Sequence, residues 1–157
     1  MSKLSEQAIN RINELKAEGK LVALDPATFP SQFTLVTCGG PNEAPKITHK
    51  LLEHGKQFFT SAHPGGALCA DASSSLGSRA DLIAQDINFV KDKLGYTYVS
   101  FMATLPCVAA NEANLTVDDE IETLKKAVAH MKTKTEGVEI VPSLYVYGDG
   151  AEFYALN

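Results

Sequence analysis

The sequence predicts a single α/β domain with a mainly parallel central sheet, flanking helices and a C-terminal antiparallel hairpin. Two observations support this fold class. Apolar runs of strand length alternate with amphipathic stretches of helical period between residues 4 and 131. The chain then changes pattern, with two apolar runs at 138–147 and 152–156 that are joined by a Gly-Asp-Gly segment at 148–150, a composition typical of a hairpin turn.

The first predicted element is an amphipathic helix over residues 4–15, within an N-terminal segment of residues 1–19. Its apolar side chains recur at helical spacing, and Gly19 follows as a stop. A proline-containing linker at 25–30 separates this helix from the first long strand. We therefore expect the helix to reach across and pack on a neighbouring copy of the chain.

The elements of the parallel sheet follow in order. Three apolar runs are predicted as its strands, at residues 33–38, 57–61 and 96–102. Three helices are predicted between and after them: one contains Ile47 and Leu51 and ends at Gly55, one covers residues 82–94, and one, capped by Thr116, covers residues 117–131. The Gly-, Ala- and Ser-rich stretch at 62–77 is predicted as a loop or short helical turns.

Composition restricts the classes of function. The 157 residues are 45% hydrophobic and 21% charged, which fits one soluble domain over residues 1–157. A net charge of -5 argues against nucleic acid or anionic membrane as a partner. Because no apolar run resembles a signal peptide or a membrane span, we expect a cytoplasmic protein. Three cysteines do not resemble a disulfide framework, so reduced thiols or thiolate ligands are expected.

Two cysteines occupy matching places. Cys38 closes the first apolar run and Cys107 follows the third. If these runs are neighbouring parallel strands, both sulfurs lie at the sheet edge where open α/β folds bind ligands. Three interpretations remain open at this point: a ligand or metal site, a pair that forms a reversible disulfide, and two buried apolar residues, which free cysteines often are.

The order of these landmarks resembles the β-class carbonic anhydrases from about residue 4 to residue 156. In that family the first strand ends in Cys-x-Asp-x-Arg, the second runs into an Arg-Asn-Ala-Gly-Gly type segment, and the third ends in His-x-x-Cys. Here Cys38 and Cys107 match the two cysteines, and Ala62, Gly65 and Gly66 resemble the middle segment. The resemblance implies a zinc ion, held in the family by the two cysteines and the histidine, and a homodimer or higher homo-oligomer.

The departures from the family pattern predict a degenerate catalytic site. Gly40 stands at the position of the Asp, Asn42 at that of the Arg, and Thr104 at that of the histidine ligand. Two cysteines alone do not make a tetrahedral zinc site. The sequence therefore predicts a non-hydratase binding or assembly protein that retains zinc only through a substitute ligand. The alternative is a divergent zinc lyase or hydrolase that acts on carbon dioxide or a similar small electrophile.

His63 is the predicted substitute ligand, because it leaves the second strand at the same sheet edge and imidazole binds zinc well. A solvated loop histidine is the alternative. Cys69 and Asp71, six and eight residues further on, are candidates for a fourth ligand if the loop folds back.

Five positions around the cysteines are candidate binding residues for a small molecule or anion. They are Gly39, Gly40, Asn42, Glu43 and Thr104. The two glycines and Asn42 precede a helix N-terminus, whose N–H groups attract anions. Glu43 is a candidate for the missing carboxylate, although an acid in the first turn of a helix is also favoured by the helix dipole alone.

Overall fold

The computed structural model describes residues 3–40, 43–71, 73–74, 76, 78–147 and 152–157. Its helices are α1 (Glu6–Ala17), α2 (Glu43–Glu53), α3 (Ala80–Leu94), α4 (Val108–Glu112) and α5 (Val117–Lys134). Its strands are β1 (Leu21–Ala23), β2 (Gln32–Cys38), β3 (Gln57–His63), β4 (Tyr98–Leu105), β5 (Glu139–Val146) and β6 (Phe153–Leu156). Two short 3₁₀ helices cover Pro26–Thr28 and Gly66–Ala70. None of these described helices has the length and apolar character needed to cross a membrane.

The strands form one sheet in the order β1-β6-β5-β4-β2-β3. The pairs of β2 with β3, β2 with β4, and β4 with β5 are parallel, whereas β6 is antiparallel to both β5 and β1. This arrangement confirms the predicted fold class. The predicted turn at 148–150 lies outside the described residues.

The structure differs from the sequence prediction at several places, which include the unpredicted helix α4. The short strand β1 was not predicted, and it extends the sheet by pairing Leu21 with Leu156. In addition, β3 runs on to His63 and β4 runs past Thr104. Both residues therefore belong to strands, where side-chain direction is fixed by the pleat.

Two apolar layers enclose the sheet. One layer packs α3 and α5 against side chains such as Val36 and Phe101, which are fully buried. The other packs α2 against a set that includes Phe33 and Tyr145. The continuous apolar runs of β2 and β4 follow from this, since a strand covered on both faces has no solvent side.

Helix α1 packs on the core of its own chain, and its contact with a neighbouring copy stays a prediction. Ser5 caps the helix by accepting a hydrogen bond from the backbone N–H of Ala8 at 3.1 Å. Ile12 and Leu15, each 3% exposed, join the core beside α5. Arg11 holds the helix there through Nε and Nη2, which donate to Asp118 at 2.8 and 3.0 Å. This chain's own core thus covers Ile12 and Leu15, whereas Ile9 is 45% exposed.

Helix α5 begins at Thr116, as predicted. The Thr116 hydroxyl accepts from the backbone N–H of Asp119 at 3.1 Å, and the Asp119 carboxylate accepts from the backbone N–H of Thr116 at 2.9 Å. This capping box fixes the first turn of α5. Glu120, in that turn, is thereby directed to the buried side of the helix.

Candidate functional site

The carboxyl ends of β2 and β4 bring Cys38 and Cys107 into contact. Cys38 is the last residue of β2, and Cys107 lies immediately before α4. The two strands are parallel neighbours, with Val36 opposite Phe101. As a result, the two thiols lie close enough to shift each other's pKa.

The sulfur of Cys38 also accepts hydrogen bonds from the backbone N–H groups of Gly40 and Gly65 and from the hydroxyl of Thr104. The bond from Cys107 contributes most, and together the donors lower the pKa of Cys38 to about 6, although partial burial acts in the opposite direction. An anionic sulfur is therefore favoured at Cys38 near neutral pH.

Cys107 is the protonated member of the pair. It is 3% exposed. Its pKa is raised, first because it gives its hydrogen bond to Cys38 and second because burial disfavours a charge. The backbone N–H of Ala110 in α4 donates to its sulfur and so opposes the shift only in part. The pKa values of the two thiols are thus shifted in opposite directions.

The loop after β3 reaches Cys38 because it contains two glycines with positive φ. Gly65 has φ 79° and Gly66 has φ 56°, values that side chains disfavour. A Cβ on Gly66 would lie 2.7 Å from the backbone carbon of Thr37 and 2.9 Å from Cα of Cys38. Only glycine permits this approach, and it places the Gly65 N–H on the sulfur.

Glu120 is a site residue that the sequence analysis missed. It is 2% exposed, and its Oε2 has no hydrogen-bond partner within the described part of the chain. Burial, followed by the negative charge of Cys38, raises the pKa of Glu120 to about 8. A signal for it was present: Glu120 lies in the apolar stripe of α5 that also includes Val117 and Leu124.

His63 lies opposite Cys38 in the register of β3 with β2, but its ring is held by other groups. Its Nε2 is 3.1 Å from Oγ of Ser61 and 3.7 Å from Oδ2 of Asp86 in α3. The Ser61 hydroxyl in turn donates to Asp86 at 2.6 Å. This network directs the ring toward α3.

The two candidates for a fourth ligand are also engaged elsewhere. The Cys69 thiol donates to the carbonyl of Pro64 at 2.9 Å, and the Asp71 carboxylate accepts from the backbone and hydroxyl of Ser73 at 3.1 Å. Among the described residues, no group of three or more His, Cys, Asp or Glu side chains is arranged to hold a metal ion.

A zinc site needs three or four protein ligands, and the donors in this arrangement do not supply them. Thr104 offers a hydroxyl where the resemblance implies a histidine, and that hydroxyl donates to Cys38. Zinc, with His63 as its third ligand, stays a prediction.

The N–H groups of the two glycines predicted to bind an anion already donate to acceptors within the chain. The N–H of Gly39 donates to the carbonyl of the last β3 residue at 3.2 Å, and the N–H of Gly40 donates to Cys38. Glu43, the first residue of α2, lies over Gly40, since its Oε2 would be 2.5 Å from a Cβ placed there. Asn42 lies outside the described residues.

Comparison with solved structures supports the fold. A carbonic anhydrase from Streptococcus mutans aligns over 100% of both chains with a TM-score of 0.54 and 14% sequence identity. The fold is thus β-carbonic-anhydrase-like. A β-carbonic anhydrase isoform I from Trichomonas vaginalis aligns over 100% of this chain and 99% of its own, with a TM-score of 0.46 and 14% identity. No family model and no curated protein matches the sequence.

Proposed function

We propose that the chain is a β-carbonic-anhydrase-like protein that does not hydrate carbon dioxide and uses its cysteine edge to bind a small molecule. The observation that supports this most directly is the position of Thr104, whose hydroxyl donates to Cys38 where the family has a metal-ligating histidine. A hydroxyl in that role stabilises a thiolate. It does not complete the ligand set that acidifies a metal-bound water.

A cavity that reaches Glu120, although not Cys38 or Cys107, has room for such a ligand. Its volume is about 810 Å³, and it lies between the first turns of α1 and α5. Glu120 and Leu105 line it, so it borders the buried carboxyl group described above. Pockets of this size accommodate small organic molecules.

Stopped-flow hydration of carbon dioxide tests the first part of the proposal. We expect the protein to show the uncatalysed rate, and Cys107→Ser to show the same rate. Hydration well above the uncatalysed rate that Cys107→Ser abolishes would overturn the proposal in favour of the divergent zinc lyase.

Metal analysis tests the predicted zinc ligand separately. His63→Ala is compared with His49→Ala, because His49 lies on α2 with its Nε2 3.0 Å from Glu53. The prediction is that any zinc bound by the protein is lost from His63→Ala on dialysis and retained by His49→Ala. Equal zinc content in the two variants would refute His63 as a ligand and agree with the contacts of its ring to Ser61 and Asp86.

We also propose that the chain forms a homo-oligomer through the edge strand β3 and the neighbouring helix α3. Strand β3 ends the sheet, so one row of its backbone groups has no strand beside it within the described chain. Phe59 in β3 is 37% exposed, and Leu82 and Phe89 in α3 are 47% and 56% exposed. Exposed apolar groups beside a free strand edge suit association with a second copy.

Light scattering of two matched variants tests this interface. We expect a dimer or larger species for the wild type, a monomer for Phe59→Lys, and no change for Leu52→Lys, since Leu52 is 58% exposed on α2 at the other face of the sheet. A wild-type monomer, or dissociation by both variants alike, would refute the β3 interface.

A cytoplasmic location completes the proposal. Cys38, Cys69 and Cys107 are all free thiols. Reduced thiols persist in the cytosol and are uncommon in oxidising compartments.

A further inference from the structure

The cavity between the first turns of α1 and α5 has a floor of buried side chains. Among the described residues that line it, four are buried, namely Leu105, Pro106, Val117 and Glu120. Three of these four are apolar, and Glu120, at 2% exposure, is the charged one. A ligand that fills the cavity of about 810 Å³ would therefore meet a single carboxyl group at its inner end.

The carboxyl group of Glu120 lacks a hydrogen-bond donor from its own chain. Its Oε2 is buried and has no partner among the described residues. Burial removes such a group from water, and the loss is costly unless another donor replaces the water. Buried polar groups in native proteins are satisfied by side chains, by backbone or by bound molecules. A ligand that brings a donor to this end of the cavity would remove the cost.

The rim of the cavity favours a cation over an anion. Three carboxylates and two cations lie among its exposed or half-buried lining residues: Glu6, Glu14, Asp118, Lys3 and Arg11. Arg11 is already paired, because its Nε and Nη2 donate to Asp118 at 2.8 and 3.0 Å and its Nη1 donates to Glu14 at 2.9 Å. With Glu120 included, carboxyl groups outnumber cations around the cavity. The local potential therefore favours a positively charged ligand.

The walls between the rim and the floor are apolar. Leu4 and Ala8 of α1 and Leu115, just before α5, line the cavity and are partly buried against the core. They continue the apolar surface of Leu105 and Val117 on the floor. A cavity of this size holds a small organic molecule, and apolar walls with one polar group at the end suit a ligand with an apolar body and a polar head.

We infer that this cavity binds a small organic ammonium ion with an apolar body, whose N–H groups donate to the carboxylate of Glu120. The inference rests on the proposed function, since it names the class of the small molecule. The ammonium group supplies both the donors and the opposite charge that this carboxylate lacks within the described chain, and such charge-assisted hydrogen bonds are stronger than neutral ones. The carbon chain of the ligand packs against the apolar walls.

Three probes of equal length test the class of ligand. Hexylamine, 1-hexanol and hexanoate are titrated separately into protein labelled with ¹³C at Leu and Val methyl groups, and NMR shifts are followed at pH 9, above the pKa of Glu120 and below that of the alkylamine. We expect hexylamine to shift Leu105, Leu115 and Val117 but not the exposed Leu52, and to bind at least about tenfold more tightly than the other two probes. Equal or tighter binding of the alcohol or the acid would refute the ammonium class, and no saturable shift with hexylamine would overturn the site.

A matched pair of variants and a shorter amine test the two parts of the site. Glu120→Gln keeps the shape of the side chain and removes its charge, so the affinity for hexylamine should fall at least about tenfold. Glu122→Gln, in the same helix but exposed and outside the described lining, should bind like the wild type. Ethylamine should bind the wild type at least about tenfold more weakly than hexylamine, because each buried methylene group contributes on the order of threefold.

Two results would contradict this assignment: the same affinity for hexylamine in Glu120→Gln as in the wild type, or equal losses in the two variants. Equal affinity for the two amines would contradict the apolar walls. Carbon dioxide hydration is measured separately by stopped flow. Failure of the amine site and failure of the proposed function are therefore distinguishable.

Discussion

Cys38 and Cys69 both lie near Gly65, and their surroundings differ in one decisive respect. Cys38 accepts hydrogen bonds, including one from the Gly65 N–H, and its pKa is lowered. Cys69 is 1% exposed and donates to the carbonyl of Pro64 at 2.9 Å, and burial raises its pKa. Both thiols are shielded from water to some degree. The direction of the hydrogen bonds therefore separates a reactive sulfur from an inert one more clearly than burial does.

The largest expected effect is on the free energy of unfolding, and it comes from Gly66→Ala in the turn between Cys38 and Cys69. Gly66→Ala places a Cβ 2.9 Å from Cα of Cys38 at a position with φ 56°. Backbone strain and this clash should reduce the free energy of unfolding by more than about 3 kcal/mol, measured by urea denaturation. Gly55→Ala is the control, because φ there is 69° but nothing lies within 4 Å of the added Cβ, so a loss near 1 kcal/mol is expected. Equal losses would show that the close approach to Cys38 is relaxed in solution.

Alkylation rates compare the two thiols directly. In reduced protein at pH 7, iodoacetamide should modify Cys38 at least about tenfold faster than Cys69, as followed by peptide mass spectrometry. Reactivity follows the thiolate, whose fraction increases with pH. Since the pKa of Cys38 is lowered to about 6, its rate should reach half of its plateau near that pH. The rate at Cys69 should rise only above the ordinary thiol range, because its pKa is raised. Matching pH profiles would contradict the comparison.

Substitution of Glu120 is expected to have an intermediate effect on the free energy of unfolding. The pKa of Glu120 is raised to about 8 in the folded protein, whereas the unfolded chain loses this proton near the ordinary pKa of 4.5. Folding therefore binds a proton between these values, and stability falls as pH rises through that window. Glu120→Gln should remove this decline and gain on the order of 2 kcal/mol relative to the wild type at pH 8, but not at pH 4. The exposed Glu122→Gln in the same helix is the control, and an equal gain there would contradict a role for burial.

The smallest expected effect is that of Thr104→Val on the alkylation rate of Cys38. This substitution removes one of the four donors to Cys38 and leaves the others in place. We expect roughly threefold slower alkylation of Cys38 at pH 6, in line with one neutral hydrogen bond. Thr37→Val, whose buried hydroxyl has no partner within the described part of the chain, should leave the rate unchanged. If both variants behaved alike, the Thr104 hydroxyl would not act on the sulfur.

The long buried strands could be predicted from the sequence, whereas the short elements could not. Strands β2 and β4 are covered on both faces and so give continuous apolar runs. Strand β1 has three residues and α4 has five, which is too short for a period to show. Pairing with β6 stabilises β1, and that contact joins distant parts of the sequence.

For the candidate site, the sequence predicted only the positions of residues at the ends of strands. The cysteines follow two apolar strands, and parallel pairing brings them to one edge. The direction of the His63 ring depends instead on Asp86, a residue of α3 whose position no local pattern reveals. Hydrogen bonds from Gly40 and Gly65 depend on loop conformation in the same way. Strand topology thus places a residue, but the neighbouring elements decide what its side chain contacts.

The edge strand β3 has a consequence for solubility. Its sequence, Gln-Phe-Phe-Thr-Ser-Ala-His, contains no Lys, Arg, Asp, Glu or Pro. Natural edge strands commonly carry such residues, because a charge or a proline blocks unwanted pairing with strands of other molecules. A subunit without its partner would present an apolar, uncharged strand of the kind that starts cross-β aggregation. Assembly would then keep the protein soluble as well as hold the subunits together. The Phe59→Lys substitution would dissociate the oligomer, but the charge of the lysine would hinder unwanted pairing at the strand edge that dissociation exposes.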